Sequence, residues 1–307
     1  MNCIPIGAVI ATVNRSQVLH TTLDSLFGQS SFPEQVIVVD ASDNDDTRIL
    51  IEKHYPSIQW IRANMKGAAA QRNQGAVLVR SQFVFFMDDD IVFNENCLQR
   101  LWEGIANSTD IGGVNAMITN QQYYPPGRIT QFMYKLMHGQ NLSSYAGMCI
   151  GPAWNLLPAD NDQLPTMQRV EWLNTTCTIY RKKALPEPAF ASHFSGYSLM
   201  EDLSLSLEVG KQWKLYNART ARIYHDSQPG NHKNNRVVLS KMELVNRYYV
   251  MVNILARKGP INYIKLIVFE LFGIASSLSA ANGWKQLPAT VYGKLSALKE
   301  IVFKWKR

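Results

Sequence analysis

The chain predicts an α/β protein with a mainly parallel central sheet flanked by helices and a helical extension towards its C-terminal end. Three observations carry that expectation. Continuous, β-branched apolar runs (Ile6 to Val13, Val36 to Val39, Phe83 to Met87) read as strands buried on both faces, since a half-exposed strand would alternate. Stretches of helical composition separate these runs, as in a sheet wound with crossover helices. Each run also ends in polar or acidic residues, most sharply at Asp88-Asp89-Asp90. A buried strand sheds its first charges where it leaves the sheet, and in an open α/β sheet that edge is where ligands bind.

Taken in order, Ile6 to Val13 forms the first strand and exits through Asn14-Arg15-Ser16. Ser16 is placed to cap a helix from Gln17 to Phe27 whose inner stripe is Val18, Thr21, Thr22, Leu23 and Leu26. The second strand, Val36 to Val39, exits into Asp40-Ala41-Ser42-Asp43; a helix from Asp45 to His54 and a short strand from Ile58 to Ile61 follow. Gly67 to Val79 has helix-forming composition and leads into the strand that carries the aspartate triplet. Ile111 to Ile118 is a further strand, after which the chain from Thr119 to Pro165 reads as irregular and rich in aromatic residues. Tyr134, Tyr145 and Trp154 there offer flat apolar faces of the kind that cover sugar C–H groups. Val170 to Tyr180 returns to strand-like sequence, and Glu201-Asp202 opens a helix through Leu203, Leu205, Leu207 and Val209. Ala221 to Asp226 is a strand closing on His225. Beyond it, Asn231 to Arg236 is a polar basic stretch, expected to be a mobile loop, and Lys241 to Arg257 has helical period. Ile261 to Ala281 is strongly apolar but carries Lys265 and Glu270, which makes it marginal as a membrane span and favours a helix lying on a membrane or packed on the domain. Tyr292 to Arg307 alternates apolar and basic residues in the manner of an amphipathic helix at an anionic surface. The expected organisation is a nucleotide-type α/β half over 1–115, a second half over 116–230, and C-terminal helices over 231–307.

With 307 residues the chain can bury a sizeable core, and its formal net charge of +7 suits anionic partners such as nucleoside diphosphates, acidic lipid surfaces or nucleic acid. The four cysteines are widely spaced with no C-x-x-C, which supports neither a zinc knuckle nor a disulfide framework. With no basic stretch before a long apolar run at the N-terminus, no secretory signal is expected and a reducing, cytosolic setting fits best. The dinucleotide fingerprint G-x-G-x-x-G and the P-loop G-x-x-x-x-G-K-[ST] are both missing after strand one, so phosphate must be held another way. Three adjacent carboxylates repel one another unless a cation or hydrogen-bond donors share the site. A hard divalent ion, Mg²⁺ or Mn²⁺, with diphosphate oxygens completing its shell, answers that need; a solvated turn is the plainer alternative.

Thr12-Val13-Asn14-Arg15, Val38-Val39-Asp40-Ala41-Ser42, Gly67 to Gly75 with Arg72-Asn73, Phe85 to Asp90 and Gly196 to Leu205 follow in an order that resembles family 2 glycosyltransferases of the GT-A fold. The resemblance covers about two-thirds of the chain. It departs in two places: Asp40-Ala41-Ser42-Asp43 stands where Asp-Asp-Gly-Ser is usual, and the family's common basic residue after the Glu-Asp segment is absent, with Leu207 and Glu208 in its neighbourhood. The resemblance implies that Thr12, Asn14 or Arg15, and Asp40 line the base and ribose pocket, that Arg72 lies near the nucleotide, and that Asp88, Asp89 and Asp90 hold ribose and metal. It makes His225 a third metal ligand, a role open to a neutral imidazole beside carboxylates. It makes one of Glu201 and Asp202 the general base, Asp202 ahead of Glu201. The implied activity is inverting, metal-dependent transfer of a hexosyl or deoxyhexosyl group from a nucleoside-diphosphate donor to an acceptor hydroxyl, in bacterial surface polysaccharide or glycan assembly. The implied partners are the donor, a glycan or lipid-linked saccharide acceptor and an anionic membrane at its cytoplasmic face, with no nucleic acid. Two rivals stand beside this reading. A nucleotidylyltransferase of related fold would need a Gly-rich, basic loop after strand one, where Asn14-Arg15-Ser16 stands instead. A non-catalytic membrane or nucleic-acid-binding module would leave the pairing of Asp88 to Asp90 with Glu201-Asp202 without a purpose.

Overall fold

The computed structural model describes residues 2–194, 196, 198–228, 235–279 and 283–305, with side chains up to residue 303. Residues 231–234 of the expected polar loop, Ser195 and Tyr197 beside Gly196, Ala281 at the end of the apolar run, and Lys306 and Arg307 lie outside the described residues. The chain divides into two compact units. One comprises Met1–Tyr124, Ala146–Met148 and Leu156–Gln228; the other comprises Pro125–Tyr145, Cys149–Asn155 and Pro229–Arg307.

The first unit is an α/β sheet domain. Its strands are β1 (Asn2–Thr12), β2 (Ser31–Asp40), β3 (Gln59–Arg62), β4 (Phe83–Met87), β5 (Ile91–Phe93), β6 (Ile111–Ile118), β9 (Met167–Val170), β10 (Cys177–Arg181) and β11 (Lys214–His225). They join one nine-stranded sheet in the order β3-β2-β1-β4-β10-β6-β11-β5, with β9 also paired to β11. β1 to β4 are mutually parallel, β10 runs against both β4 and β6, and β6 and β11 are parallel again. Thr12 stands opposite Asp40, and Ile10 opposite Met87, so the exits of β1, β2 and β4 lie on one edge of the sheet.

Helices cover both faces of this sheet. On one face Leu19, Leu23 and Leu26 of α1 (Ser16–Phe27), Ile51 of α2 (Asp46–His54) and Leu98, Leu101 and Ile105 of α4 (Cys97–Ala106) pack on Ile6, Ala8, Ile10, Val38, Phe85 and Val114. On the other, α3 (Ala68–Leu78) lies so close to β1 and β2 that a Cβ at Gly75 would stand 2.4 Å from Val9 Cγ1 and 3.2 Å from Val39 Cγ2. The strand runs were uniformly apolar in sequence because both of their faces are covered.

Several details differ from the sequence reading. Ser16 is the first residue of α1 rather than its cap, Arg15 takes the cap position, and the buried stripe is Leu19, Thr22, Leu23 and Leu26, with Thr21 exposed. The expected strand Val170 to Tyr180 is two strands, β9 and β10, separated by the buried segment Leu173 to Thr176. β5 follows the triplet at once, and Arg128–His138 within the supposedly irregular stretch is a helix, α5.

The second unit contains α5, the short pair β7 (Cys149–Ile150) and β8 (Trp154–Asn155), and three C-terminal helices. These are α7 (Arg236–Tyr249, running on as a π-helical turn Val250–Ile254), α8 (Pro260–Ser277) and α9 (Gly283–Trp305), while α6 (Glu201–Gly210) belongs to the sheet unit. Asn235 caps α7, its side chain accepting from Val238 N at 3.1 Å. Leu244, Met251, Val252, Leu266 and Ala297 form a small shared core, and Trp154 stands edge-on to Tyr134 and Phe269. Among the described residues no helix is long and apolar enough to cross a membrane.

Gly75→Ala tests the approach of α3 to the sheet. Overpacking at a well-filled site costs typically 1–3 kcal/mol, so we expect a destabilisation of about 2 kcal/mol in urea unfolding. An unchanged midpoint would show that α3 does not lie as close as the structure places it.

Candidate active site

The site grows from the exit of β4. Asp88 continues the strand's pairing through its N–H, which donates to Thr176 O at 3.0 Å. The chain then turns, and Thr22 of α1 holds the turn from beneath: its hydroxyl donates to Asp89 O at 2.8 Å and accepts from Ile91 N at 3.1 Å. The three carboxylates thereby point to three different sets of partners.

Asp89 is almost fully buried. Thr12 Oγ1 donates to it at 2.6 Å and Arg15 Nη1 at 3.2 Å. Burial nonetheless pushes its carboxyl up to about 6, against the pull of Thr12 and Arg15. Asp90 lies 3.1 Å from His225 Nε2, accepts from Gln228 N at 3.2 Å and has Arg15 Nη1 at 3.5 Å. Burial works to raise its carboxyl, but His225, Gln228 and Arg15 together hold it below the usual carboxylate range. His225 stands at the end of β11, which brings it across β5 to the triplet although 135 residues separate it from Asp90.

Asp88 faces the other way, towards Arg72 of α3. Arg72 Nη2 contacts Asp88 Oδ1 at 2.6 Å and its Nη1 contacts Glu201 Oε1 at 2.9 Å, with the guanidinium 5.8 Å from the Phe190 ring. The side chain is buried, and its Nε has no hydrogen-bond partner among the described residues. Despite burial, the two carboxylates hold its guanidinium above its ordinary value, so it stays charged.

Glu201 and Asp202 open α6, as the sequence reading expected. The turn before them is strained: Ser198 and Met200 both have positive φ, 56° and 72°, a region few L-residues enter. The turn is braced against the start of α3. Gly67 and Gly196 form a backbone bridge, and a Cβ on Gly67 (φ 135°) would stand 3.2 Å from Gly196 N, so this approach requires glycine. Asp202 Oδ1 accepts from Leu203 N at 2.7 Å, the contact of a carboxylate at a helix N-terminus. Burial raises both carboxyls. Asp202 is pushed up to about 6; Glu201 goes further, to about 8, with the neighbouring Asp202 charge adding to its burial. Two adjacent buried carboxyls do not both ionise readily, so Glu201 and Asp202 titrate as a pair.

The remaining expected donor contacts sit at the β1 and β2 exits. Asp40 is fully buried, with Trp60 Nε1 donating to Oδ2 at 3.1 Å and Ser42 N to Oδ1 at 2.8 Å. Asn14, at φ 53°, is exposed and exchanges hydrogen bonds with Asp43, its Nδ2 donating at 3.1 Å and its Oδ1 accepting from Asp43 N at 2.9 Å. The structure thus gathers Thr12, Arg15, Asp89, Asp90 and His225 into one group and Asp88, Arg72 and Glu201 into a second that continues it; Asp40 and Asn14 stand apart with partners of their own. Thr22, Gln71 and Gln228 were missed in sequence. Gln71 Nε2 donates to Thr12 O and Val39 O, tying the β1 and β2 exits together at 2.9 and 2.8 Å. A threonine in the buried stripe of α1 was the one sequence signal for any of them.

The donor set also fits a metal ion. One ligand atom from each of Asp88, Asp90 and His225 lies within 4.8 Å of the others, and two carboxylate oxygens with an imidazole suit a divalent ion such as Mn²⁺.

A wound sheet with reversed β10, an acidic strand exit and a carboxylate-bearing helix opposite it define the GT-A class of α/β proteins. The chain belongs to glycosyl transferase family 2, whose profile it matches over residues 8–187. It is 27% identical over 113 residues to the poly(ribitol-phosphate) beta-N-acetylglucosaminyltransferase TarP of Staphylococcus aureus, covering 34% of this chain and 35% of TarP. It is 31% identical over 87 residues to the UDP-Glc:alpha-D-GlcNAc-diphosphoundecaprenol beta-1,3-glucosyltransferase WfaP of Escherichia coli, covering 28% of this chain and 35% of WfaP. The matched part therefore spans about a third of the length of these relatives. Among solved structures, the mannosyltransferase PcManGT of Pyrobaculum calidifontis superposes with a TM-score of 0.56 at 12% identity, over 97% of this chain and 87% of that one, a likeness of fold.

Arg72→Met leaves Asp88 and Glu201 without their shared cation. Removing one partner of a buried pair costs typically 3–5 kcal/mol while the other stays charged. Arg72 lowers the Glu201 carboxyl, so its loss moves that group higher still, and the folded variant holds its proton to higher pH. The stability lost should therefore be larger at pH 9 than at pH 7, as read by thermal unfolding of both proteins. A gap that does not vary with pH would mean that Glu201 is not what Arg72 compensates.

Proposed function

We propose that the chain is a metal-dependent, inverting glycosyltransferase that moves a sugar from a nucleoside-diphosphate donor to an acceptor hydroxyl. The observation that carries this reading is the clustering of Asp88, Asp90 and His225, joined through Arg72 to Glu201 and, beside it, Asp202 at the opening of α6. Asp88, Asp90 and His225 would hold the ion, which when bound offsets charge on the departing diphosphate. PcManGT, similar in fold, is described in complex with GDP-Man and Mn²⁺.

The chain's own residues supply the rest. Thr12 and Arg15 fix Asp89, while Arg72 orients Asp88. Asp202 accepts the proton of the acceptor hydroxyl as its oxygen attacks C1 of the sugar. The C1–O bond to the diphosphate breaks on the opposite face, its electron pair leaves with the nucleoside diphosphate, and the configuration at C1 inverts. Glu201, paired with Arg72, positions the helix that carries Asp202. In this reading 1–115 binds the donor, 116–230 carries acceptor and base, and 231–307 meets a lipid surface at the cytoplasmic face. WfaP is named for a diphosphoundecaprenol-linked substrate and TarP for poly(ribitol-phosphate), which supports a bacterial surface glycan or lipid-linked saccharide as acceptor.

Asp90→Asn keeps shape and removes charge. Binding of a nucleoside diphosphate in the presence of Mn²⁺, followed by calorimetry across a panel of bases, should be lost in the variant while its thermal unfolding stays cooperative. Mn²⁺-dependent binding at wild-type affinity in Asp90→Asn would overturn the metal assignment.

Asp202→Asn should bind nucleotide normally and transfer sugar about 10²–10⁴-fold more slowly, the usual contribution of a positioned base. Because the base acts ionised and burial places its carboxyl at about 6, wild-type transfer should fall as pH drops through 6, and that acid limb should vanish from the residual activity of the variant. Normal transfer by Asp202→Asn with a dead Glu201→Gln would reverse the two roles.

A further inference from the structure

The helical unit is built with its polarity inverted. On α8 the charged residues face inward: Glu270 pairs with Lys294 and lies 3.5 Å from Arg247 Nε, and Lys265 Nζ donates to Met137 O at 2.7 Å. The outer face, Ile261, Ile264, Ile267 and Leu271 at spacings of three, three and four, is wholly apolar, and each of these side chains is more than half exposed. α9 repeats the pattern. Lys294 and Glu300 turn inward, Glu300 to Lys241 at 2.9 Å, while Trp284, Tyr292, Leu295, Leu298 and Val302 stand outside. Soluble helices bury the apolar stripe and expose the charged one; α8 does the reverse, and α9 leaves large apolar side chains outside beside its exposed lysines.

Charge tells what this face meets. From Pro229 to Arg307 there are thirteen Lys and Arg against three Glu. All three glutamates, Glu243, Glu270 and Glu300, are paired inside the unit. Lys285 and Lys299 stand exposed among the outward side chains of α9, and Lys258 is exposed just before α8. An apolar stripe edged by lysine, with Trp and Tyr on the same side, complements an anionic lipid surface: aliphatic side chains enter the acyl boundary, aromatics sit at headgroup level and lysines meet phosphate. A second protein copy would have to bring carboxylates to those lysines, and this segment has none to spare.

We infer that the outer faces of α8 and α9 are a monotopic docking surface for anionic phospholipid, with both helices lying in the plane of the interface. The inference deepens the proposal of a lipid-linked acceptor, but its grounds lie wholly in the helical unit, so the two can fail separately.

The test is co-sedimentation of the full chain with phosphatidylcholine vesicles, with and without about 30% phosphatidylglycerol, at about 0.1 M and about 1 M salt. The wild type should bind the anionic vesicles and be largely released by salt. Ile267→Asp with Leu271→Asp, on exposed positions, should lose at least about tenfold in partitioning with an unchanged melting temperature. Lys285→Glu with Lys299→Glu should lose the preference for the anionic lipid. Absence of vesicle binding by the wild type, equal binding by the aspartate variant, or a dimer in light scattering that the same aspartates dissociate without vesicle binding would each overturn the inference. Mn²⁺-dependent nucleotide binding, measured in parallel, should be the same in the aspartate variant and wild type. Its loss in both with vesicle binding retained would sink the proposed transfer and leave the docking surface standing.

Discussion

The bridge from Asp88 through Arg72 to Glu201 is the interaction on which the rest of the site depends. It joins a strand exit to a helix opening 113 residues away in sequence, through a cation on a third element. Each carboxylate would be costly in a dry site alone, and each alone would leave the guanidinium half compensated. The geometry suits arginine in particular: two nitrogens of one planar fork reach two separate carboxylates, which the single ammonium of a lysine could not do in fixed directions. Arg72 holds that place because α3 can settle close to β1 and β2 over Gly75, and because Gly67 lets the start of α3 touch the turn before α6. The packing of one helix thus sets the electrostatics of two elements of the candidate site.

The strained turn at Ser198 and Met200 fits the same scheme. A left-handed residue costs energy that its surroundings must offset, and here the offsets are visible: the Gly67–Gly196 bridge, the Arg72–Glu201 pair and the burial of Ser198 and Met200 themselves. The strain aims the first turn of α6 so that Glu201 meets the bridge and Asp202 receives the charge of both Arg72 and Asp88.

Much of the α/β unit was legible because burial on both faces writes strands as unbroken apolar runs, and β4 and β6 lie where those runs lie. Boundaries blurred where periodicity competes with local chemistry. The serine at position 16 looked like a cap, yet the chain enters α1 one residue earlier, and the face that packs on the sheet carries Leu19 in place of Val18. α5 was hidden because its tyrosine and phenylalanine follow a turn-rich Tyr-Tyr-Pro-Pro-Gly, and composition there resembles a loop. In the site, the acidic triplet and Glu201-Asp202 were readable from strand exit and helix opening. Their partners were not, since His225 reaches Asp90 and Arg72 reaches Glu201 only through tertiary contact, and only the family resemblance pointed to either. Asp40 stands at its motif position, with Trp60 donating to one of its oxygens and Ser42 N to the other.

Net charge is the last quantity that the fold redistributes. A total of +7 reads, in sequence, as a general attraction for anions. Residues 1–228, which hold every group of the candidate site, contain eighteen Lys and Arg against twenty-one Asp and Glu, so the excess of positive charge lies entirely in the remaining segment. In the proposed reading, a nucleoside diphosphate approaching the β4 exit would meet three aspartates and, close by, Arg15 and an Arg72 already paired with two carboxylates. Net charge would not steer two phosphates to such a place; in that reading the compensation is local, a divalent cation that the oxygen and imidazole donors of Asp88, Asp90 and His225 would hold. In the basic C-terminal helices the exposed lysines stand among outward apolar side chains instead. One sequence-wide number conceals two separate electrostatic tasks, and only the placement of the side chains separates them.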